Sequence, residues 1–138
     1  MSTKSLTRNL ADITVAMDSW TEPFWSAAAQ KRLVVPRCKD CGYVRWPPGP
    51  FCPSCQGQAT EWVSPGTGRL YSFTIIFAER TRTECIVPVL IRFADAGGVI
   101  LLSTLIDASL DAIAIDHEVV VDWVATANTN APVFRLVD

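Results

Sequence analysis

The sequence has few of the groups that catalysis needs. Its one histidine, His117, lies between Asp116 and Glu118 just before a predicted strand, where a solvated turn histidine is expected rather than a general base. Cys85 has no histidine near it in the sequence, so we expect a small buried apolar residue rather than a nucleophile. No glycine-rich loop leads from a strand into a helix, as nucleotide hydrolysis would require. The sequence therefore argues against an independent enzyme.

A long hydrophobic run and a secretion signal are also lacking. No apolar run reaches the roughly 18 residues that span a bilayer, and the first ten residues are polar and interrupted by Lys4 and Arg8. We expect a cytoplasmic protein that does not cross a membrane. Hydrophobic residues make up 49% of the 138 residues, with five tryptophans and six phenylalanines. So many aromatic side chains are explained either by a dense core or by a permanent protein-binding surface.

Charge is sparse and unevenly distributed. The net charge is −2, but residues 31–82 carry eight basic and three acidic groups, whereas residues 83–138 carry two basic and eight acidic groups. The basic middle segment could hold an anion. It could equally offset a metal site, because four thiolates on Zn²⁺ carry about −2.

Four of the five cysteines form two C-x-x-C pairs with ten residues between them. Two such pairs place four thiolates on two tight turns around one tetrahedral site. Gly42 follows the first pair and allows the backbone to turn back toward the sulfurs. We predict a structural zinc site, and since four protein ligands leave no position for substrate, it should build structure rather than catalyse. The predicted ligands are Cys38, Cys41, Cys52 and Cys55.

Iron stays open as an alternative metal, because Cys-x-x-Cys-Gly-Tyr and Cys-Pro-x-Cys look like the two halves of a rubredoxin site. Disulfides are disfavoured by the absence of a signal peptide. A redox C-x-x-C normally stands alone at the start of a helix, so two copies this close argue against thiol-disulfide chemistry.

The chain divides into an N-terminal arm and helix (1–30), a metal ribbon (31–64) and an all-β part (65–138). Residues 1–18 are expected to form a loosely ordered arm. The helix is predicted to begin at Thr21, and Trp20, Phe24 and Ala28 would form one apolar stripe along it. That stripe could dock on the core or on a partner protein.

The ribbon and the barrel are predicted from extended, β-branched segments. Leu33–Arg37 should pair with Tyr43–Trp46 as a hairpin, and Thr60–Val63 is a further strand. The Asp95–Gly98 turn joins two of the later strands. Five strands with this connectivity fit a small Greek-key barrel of the OB type, so the fold is mainly β. The predicted barrel strands are Leu70–Phe77, Ile86–Phe93, Val99–Leu105, Val119–Val124 and Val133–Leu136.

In the order of its parts, the sequence resembles the acyl-CoA-associated OB-fold proteins with a rubredoxin-like zinc ribbon, catalogued as domain of unknown function thirty-five. The match covers about residues 20–136. Two positions depart from the family pattern: Gly49 stands where arginine often follows the proline pair, and Ile115–His117 stands where glycine often precedes the fourth strand. The residues that carry the resemblance are Pro23-Phe24-Trp25, Arg32-Leu33-Val34, Arg37-Cys38, Cys41-Gly42, Pro47-Pro48, Cys52-Pro53, Cys55, Gly66, Gly68, Tyr71-Ser72-Phe73-Thr74 and Pro132-Val133-Phe134-Arg135.

The resemblance implies a non-catalytic accessory subunit. Similar proteins associate with a thiolase-like acyltransferase, an aldolase or a MaoC-like hydratase, and they help to bind acyl-CoA. The phosphates and adenine of CoA require basic donors and a flat apolar platform. Candidate residues for this ligand are Arg45, Trp46, Arg69, Tyr71, Phe73, Arg80 and Arg82.

The rival hypothesis is a module that binds single-stranded nucleic acid, since zinc ribbons and OB folds both serve that purpose. A strand-binding groove requires a basic barrel, whereas residues 83–138 have a net charge of −6. Nucleic acid is therefore the less favoured partner.

Overall fold

The computed structural model describes residues 3–77, 80 and 84–138. In these residues one α-helix precedes eight β-strands. No helix among them is both long and apolar enough to cross a membrane. The elements are α1 (Glu22–Ala29), β1 (Val35–Cys38), β2 (Thr60–Val63), β3 (Gly68–Phe73), β4 (Ile76–Phe77), β5 (Cys85–Phe93), β6 (Val99–Leu105), β7 (Glu118–Ala125) and β8 (Asn130–Leu136).

Five strands close into a barrel. Their order is β3, β7, β8, β6, β5, and β3 also pairs with β5, so the sheet has no free edge between these two strands. All pairings within the barrel are antiparallel except that of β6 with β8. The prediction of a mainly β protein with a five-stranded barrel of the OB type is confirmed.

The barrel core is set by alternation along β5. Every second residue of this strand, from Cys85 to Phe93, is buried, because successive side chains of a strand point to opposite faces. Burial raises the pKa of the Cys85 thiol, which keeps it neutral and fits the expected apolar role. Gly68 begins β3 against this face, where a Cβ would lie 2.7 Å from Cγ2 of Ile91. Glycine is therefore required for the close approach of β3 to β5.

The ribbon packs on the same core. Val35 of β1 is fully buried in the cluster that contains the barrel side chains, and Val44 and Val63 pack against it. Helix α1 buries Phe24 on the ribbon side, and the side chain of its N-cap residue Thr21 accepts no bond from the helix amides. Its carboxyl end is held to the barrel by Asn130, whose Nδ2 donates to the carbonyl of Ala28 over 3.1 Å.

The predicted hairpin of Leu33–Arg37 with Tyr43–Trp46 is wrong in its main pairing. The regular partner of β1 is β2, in the register Val35↔Val63 to Cys38↔Thr60. Residues 43–46 make a single bridge, Arg37↔Val44. A longer ladder cannot form because Pro47 and Pro48 follow at once and have no N–H to donate.

The predicted strand Leu70–Phe77 is interrupted. A bulge between Leu70 and Ser72 bends β3, which ends at Phe73, and β4 contains only Ile76 and Phe77. The amide of Thr74 donates to the carbonyl of Pro88 on β5, but Pro88 has no N–H to return. The ladder is therefore weakened where the chain breaks.

Trp20 is not on the helix, which corrects the predicted stripe. The carboxylate of Asp18 accepts the amides of Trp20 and Thr21, each over 2.9 Å, in a turn that precedes α1. Trp20 is 44% exposed, while Phe24 and Ala28 are buried. The helical spacing was present in the sequence, but the Asp18 turn takes Trp20 out of register.

The N-terminal arm is not loosely ordered over its described length. Ser5 is buried, its amide donates to the carbonyl of Ala108, and its hydroxyl accepts the amide of Ala108, both over 3.0 Å. Farther along, the carbonyl of Ile13 accepts the amide of Ala127. Backbone bonds at both ends hold the arm across the barrel, a long-range pairing that no local pattern could indicate.

Candidate metal centre and ligand-binding surfaces

The two C-x-x-C turns bring four sulfurs together. All four lie within 4.8 Å of one another, and the Sγ–Sγ distances are 3.5 Å for Cys38–Cys55 and 3.6 Å for Cys41–Cys52. Sulfurs bound to one tetrahedral Zn²⁺ at 2.3 Å are about 3.8 Å apart. Cys38 and Cys52 are buried, while Cys41 and Cys55 face the surface. The donor set and its dimensions fit a closed structural zinc site.

The two turns have the same backbone geometry. The amide of Gly42 donates to the carbonyl of Cys38, and the amide of Gln56 donates to the carbonyl of Cys52. Both donors have positive φ, 80° for Gly42 and 64° for Gln56. Glycine adopts this conformation freely, whereas Gln56 is strained. The sequence signalled the first turn through Gly42 but gave no such signal for the second.

The surroundings of the sulfurs affect their pKa values differently. Burial by itself would raise the pKa of Cys52, but the backbone amides of Cys55 and Ser54 outweigh it and lower the pKa to about 7. The amide of Gly57 favours the thiolate of Cys55, but the neighbouring cysteines outweigh it and raise the pKa to about 12. Four thiolates cannot coexist at this spacing unless a metal ion neutralises them.

Arg45 and Trp46 lie between the two turns, inside the protein. Arg45 is 7% exposed, and its Nη2 donates to the carbonyl of Gly49 over 2.9 Å and to Oγ1 of Thr60 over 2.8 Å. The Trp46 ring is partly buried and meets the Phe24 ring edge-on at 5.0 Å. Trp46 therefore lies in the packing between ribbon and helix, whereas Arg45 is held within the ribbon.

Arg69 and Tyr71 share a surface pocket of about 600 Å³ with Arg92. Arg69 and Arg92 are direct cross-strand partners on β3 and β5, and both side chains face outward. Like charges in such a position repel, and the charge of Arg69 is partly balanced by Glu118, whose Oε1 lies 3.9 Å from Arg69 Nη2. The Tyr71 ring beside them is 52% exposed. Asp95, Asp116 and Glu118 also line this pocket.

Arg92 was not among the sequence candidates. A signal existed, since Arg92 is the outward-facing position of a strictly alternating strand, but its register with Arg69 was not readable from the sequence. Of the other candidates, Phe73 packs against the barrel core, Arg80 is exposed beyond β4, and Arg82 lies outside the described residues. The structure thus brings together two of the seven predicted residues, Arg69 and Tyr71.

An apolar groove crosses the outer face of the barrel beside α1, with a volume of about 420 Å³. Leu102 on β6 stands at this groove with 74% of its surface exposed. Leu102 is the exposed member of a groove whose other apolar side chains are buried or half-buried, and an apolar groove with an exposed leucine is a candidate protein-binding surface. The groove is lined by Leu10, Phe24, Trp25, Trp46, Leu102 and Pro132, among others.

Comparison with known proteins gives matches over most of the chain. A family model described as the ChsH2 rubredoxin-like zinc ribbon domain matches residues 25–61. A probable enoyl-CoA hydratase alpha subunit of Thermomonospora curvata is 36% identical in an alignment of 116 positions that covers 81% of this chain. The chain spans only 36% of the length of that relative. A DUF35 domain-containing scaffold protein of Methanothermobacter thermautotrophicus is 28% identical over 69% of this chain and 74% of its own length.

Solved structures extend the likeness to the whole fold. A chain of an Ltp2–ChsH2(DUF35) aldolase has a TM-score of 0.76 and 30% identity, over 89% of this chain and 98% of that chain. A DUF35 protein of unknown function from Sulfolobus solfataricus has a TM-score of 0.64 and 16% identity, over 88% of this chain and 87% of its own length. The second match shows the fold alone. Together with the four-cysteine site, the ribbon match supports a structural zinc.

Proposed function

Because this chain belongs to the DUF35 family of zinc-ribbon and OB-fold proteins, we propose that it is a non-catalytic accessory subunit of a CoA-thioester enzyme. Its partner would be a thiolase-like acyltransferase, an aldolase or a MaoC-like hydratase. The subunit would also contribute residues to the acyl-CoA site. The metal centre would act as a structural element that fixes the ribbon against the barrel.

One observation carries the proposal. The fold of this chain covers 98% of one chain in the structure of an Ltp2–ChsH2(DUF35) aldolase, a name that joins two proteins. A second relative is described as a subunit of a probable enoyl-CoA hydratase. Both names support an accessory role for this chain in a CoA-related enzyme. The apolar groove offers this chain a surface for such a partner.

The first experiment tests association. The chain is co-expressed in turn with thiolase-like, aldolase and hydratase chains encoded near it, and the tagged chain is purified. We expect one of the three to co-purify at a fixed stoichiometry and to be more active in the complex than alone. Turnover of an acyl-CoA by the partner-free chain, or indifference to all three partners, would remove the proposal.

The second experiment tests the pocket between β3 and β5. We propose that Arg69 and Arg92 bind a CoA phosphate and that Tyr71 supports the adenine. Replacing both arginines, R69A/R92A, should weaken CoA binding by the complex at least tenfold, since each charge-assisted bond contributes about 1.5–3 kcal/mol. Isothermal titration with CoA measures the change. The exposed Arg32 provides the control, since R32A removes a basic group outside the pocket.

The nucleic-acid hypothesis is tested with the same proteins. Binding of single-stranded oligonucleotides that weakens steeply with salt would favour it. We expect no such binding, because residues 83–138, which supply most of the barrel, carry a net charge of −6.

A further inference from the structure

Arg45 carries a buried charge that hydrogen bonds do not explain. Its Nε and Nη1 atoms are buried and have no hydrogen-bond partner in the part of the chain that the structure describes. The other ribbon arginine near the cysteines, Arg37, is paired with Glu61 at 2.7 Å on the exposed side. An isolated charge is expensive to bury unless an opposite charge lies near it.

The Arg45 side chain crosses strand β1. On one side of β1, the amide of Arg45 donates to the carbonyl of Pro36 over 3.2 Å. On the other side lies β2, where Thr60 Oγ1 accepts from Arg45 Nη2. The backbone and the guanidinium of one residue thus contact neighbours on opposite flanks of the same strand.

The crossing takes place on the face of β1 that carries a metal ligand. Side chains alternate along β1: Arg37 is exposed beside Glu61, whereas Pro36 and Cys38 are buried on the other face. Thr60 is the cross-strand partner of Cys38, and the Cβ atoms of such partners are about 4.5–5.5 Å apart. A guanidinium bonded to Thr60 therefore lies on the face of β1 that carries Cys38.

We propose that Arg45 is the counter-charge of the four-cysteine metal centre. Four thiolates on Zn²⁺ carry about −2, and a cation held beside one of them stabilises the loaded site. The bond from Arg45 to the carbonyl of Gly49 keeps the guanidinium in place and ties it to the proline-rich crossing between the two turns. Arg45 is thus a positioning and charge-balancing residue. This inference concerns the metal centre alone and is independent of the partner enzyme.

The test compares zinc affinity in matched variants of the full chain, by competition with a chromophoric chelator. R45M removes the charge and keeps the bulk, R45K keeps the charge, and R37M removes an equal charge from the opposite face of β1. We expect R45M to weaken zinc binding tenfold to a hundredfold, the range found when groups around metal ligands are removed. R45K should recover most of the loss, and R37M should change the affinity less than threefold. Parent-like affinity of R45M, or an equal loss in R45K or R37M, would overturn the inference.

Replacing zinc by iron allows the reduction potential of the site to be measured, and this potential depends on nearby charge rather than on packing alone. Four thiolates leave −1 on the Fe³⁺ site and −2 on the Fe²⁺ site, so a nearby cation favours the reduced form. In iron-loaded R45M the one-electron reduction potential should fall, by about 59 mV for each tenfold of lost preference. It should stay near the parent value in R37M, and an unshifted potential in R45M would contradict the proposal.

A last variant decides the case if R45M does not fold, which the spectrum of the cobalt-loaded protein would reveal. T60V leaves the charge but removes one of the two bonds that hold the guanidinium over β1. We expect a threefold to tenfold loss of zinc affinity with an unchanged cobalt spectrum. Full affinity in T60V would then count against Arg45 as the counter-charge.

Discussion

Replacing Cys52 by serine should abolish metal binding and unfold the ribbon. Cys52 is a fully buried ligand, and three remaining thiolates cannot complete the tetrahedral site. Structural zinc contributes about 10–16 kcal/mol in small zinc domains, as much as the entire stability of a typical domain. Because Val35 of the ribbon lies in the barrel core, the damage should extend to the barrel and lower the Tm by at least 10 °C, given about 4–8 °C per kcal/mol in a small domain.

The measurement is metal content by elemental analysis together with thermal unfolding. We expect one zinc per parent chain, less than a tenth of that in C52S, and the same unfolding in a parent chain stripped by a chelator. Cys85 provides the control, because it is equally buried but distant from the four ligands in the fold. C85A should keep one zinc and lose only about 1 kcal/mol by the removal of a small buried group. A C52S chain with full zinc would show that the cysteines do not form the site.

We expect substitution of Leu102 to cause the largest loss of affinity for the partner protein. Its side chain is 74% exposed on β6 and projects from the barrel at the apolar groove. L102D should leave the isolated fold intact, since a largely exposed side chain can be charged at little cost. In the complex, however, the carboxylate would be removed from water in a mostly apolar groove. Affinity for the partner should fall at least a hundredfold, or about 2.7 kcal/mol.

Val120 offers a matched control on another face. It is 50% exposed on β7, which is separated from β6 by β8 in the sheet order. V120D should therefore bind the partner within about threefold of the parent chain. Both variants are compared by surface plasmon resonance after their Tm and zinc content have been matched to the parent. Retained binding by L102D together with lost binding by V120D would move the interface to the β7 face.

Much of the fold was readable because its signals are local. The two C-x-x-C pairs specify a metal site through spacing alone, and the alternation from Cys85 to Phe93 specifies a strand with one buried face. Gly97 and Gly98 supply the positive φ that ends the turn between β5 and β6. In each case, residues within a few positions of one another are sufficient to determine the local structure. The DUF35 resemblance rested on the order of these local signals.

Only the tertiary structure determined which residues distant in the sequence become neighbours. Arg45 was predicted as a basic donor for CoA, but its bond to Thr60 on β2 holds the guanidinium inside, on the face of β1 that carries Cys38. Arg92 was not selected from the sequence as a ligand-binding residue. The register of β3 and β5 places it opposite Arg69. The sequence determines which chemical groups the side chains carry. Strand register and burial depend on long-range packing, and they determine the environment of each charge.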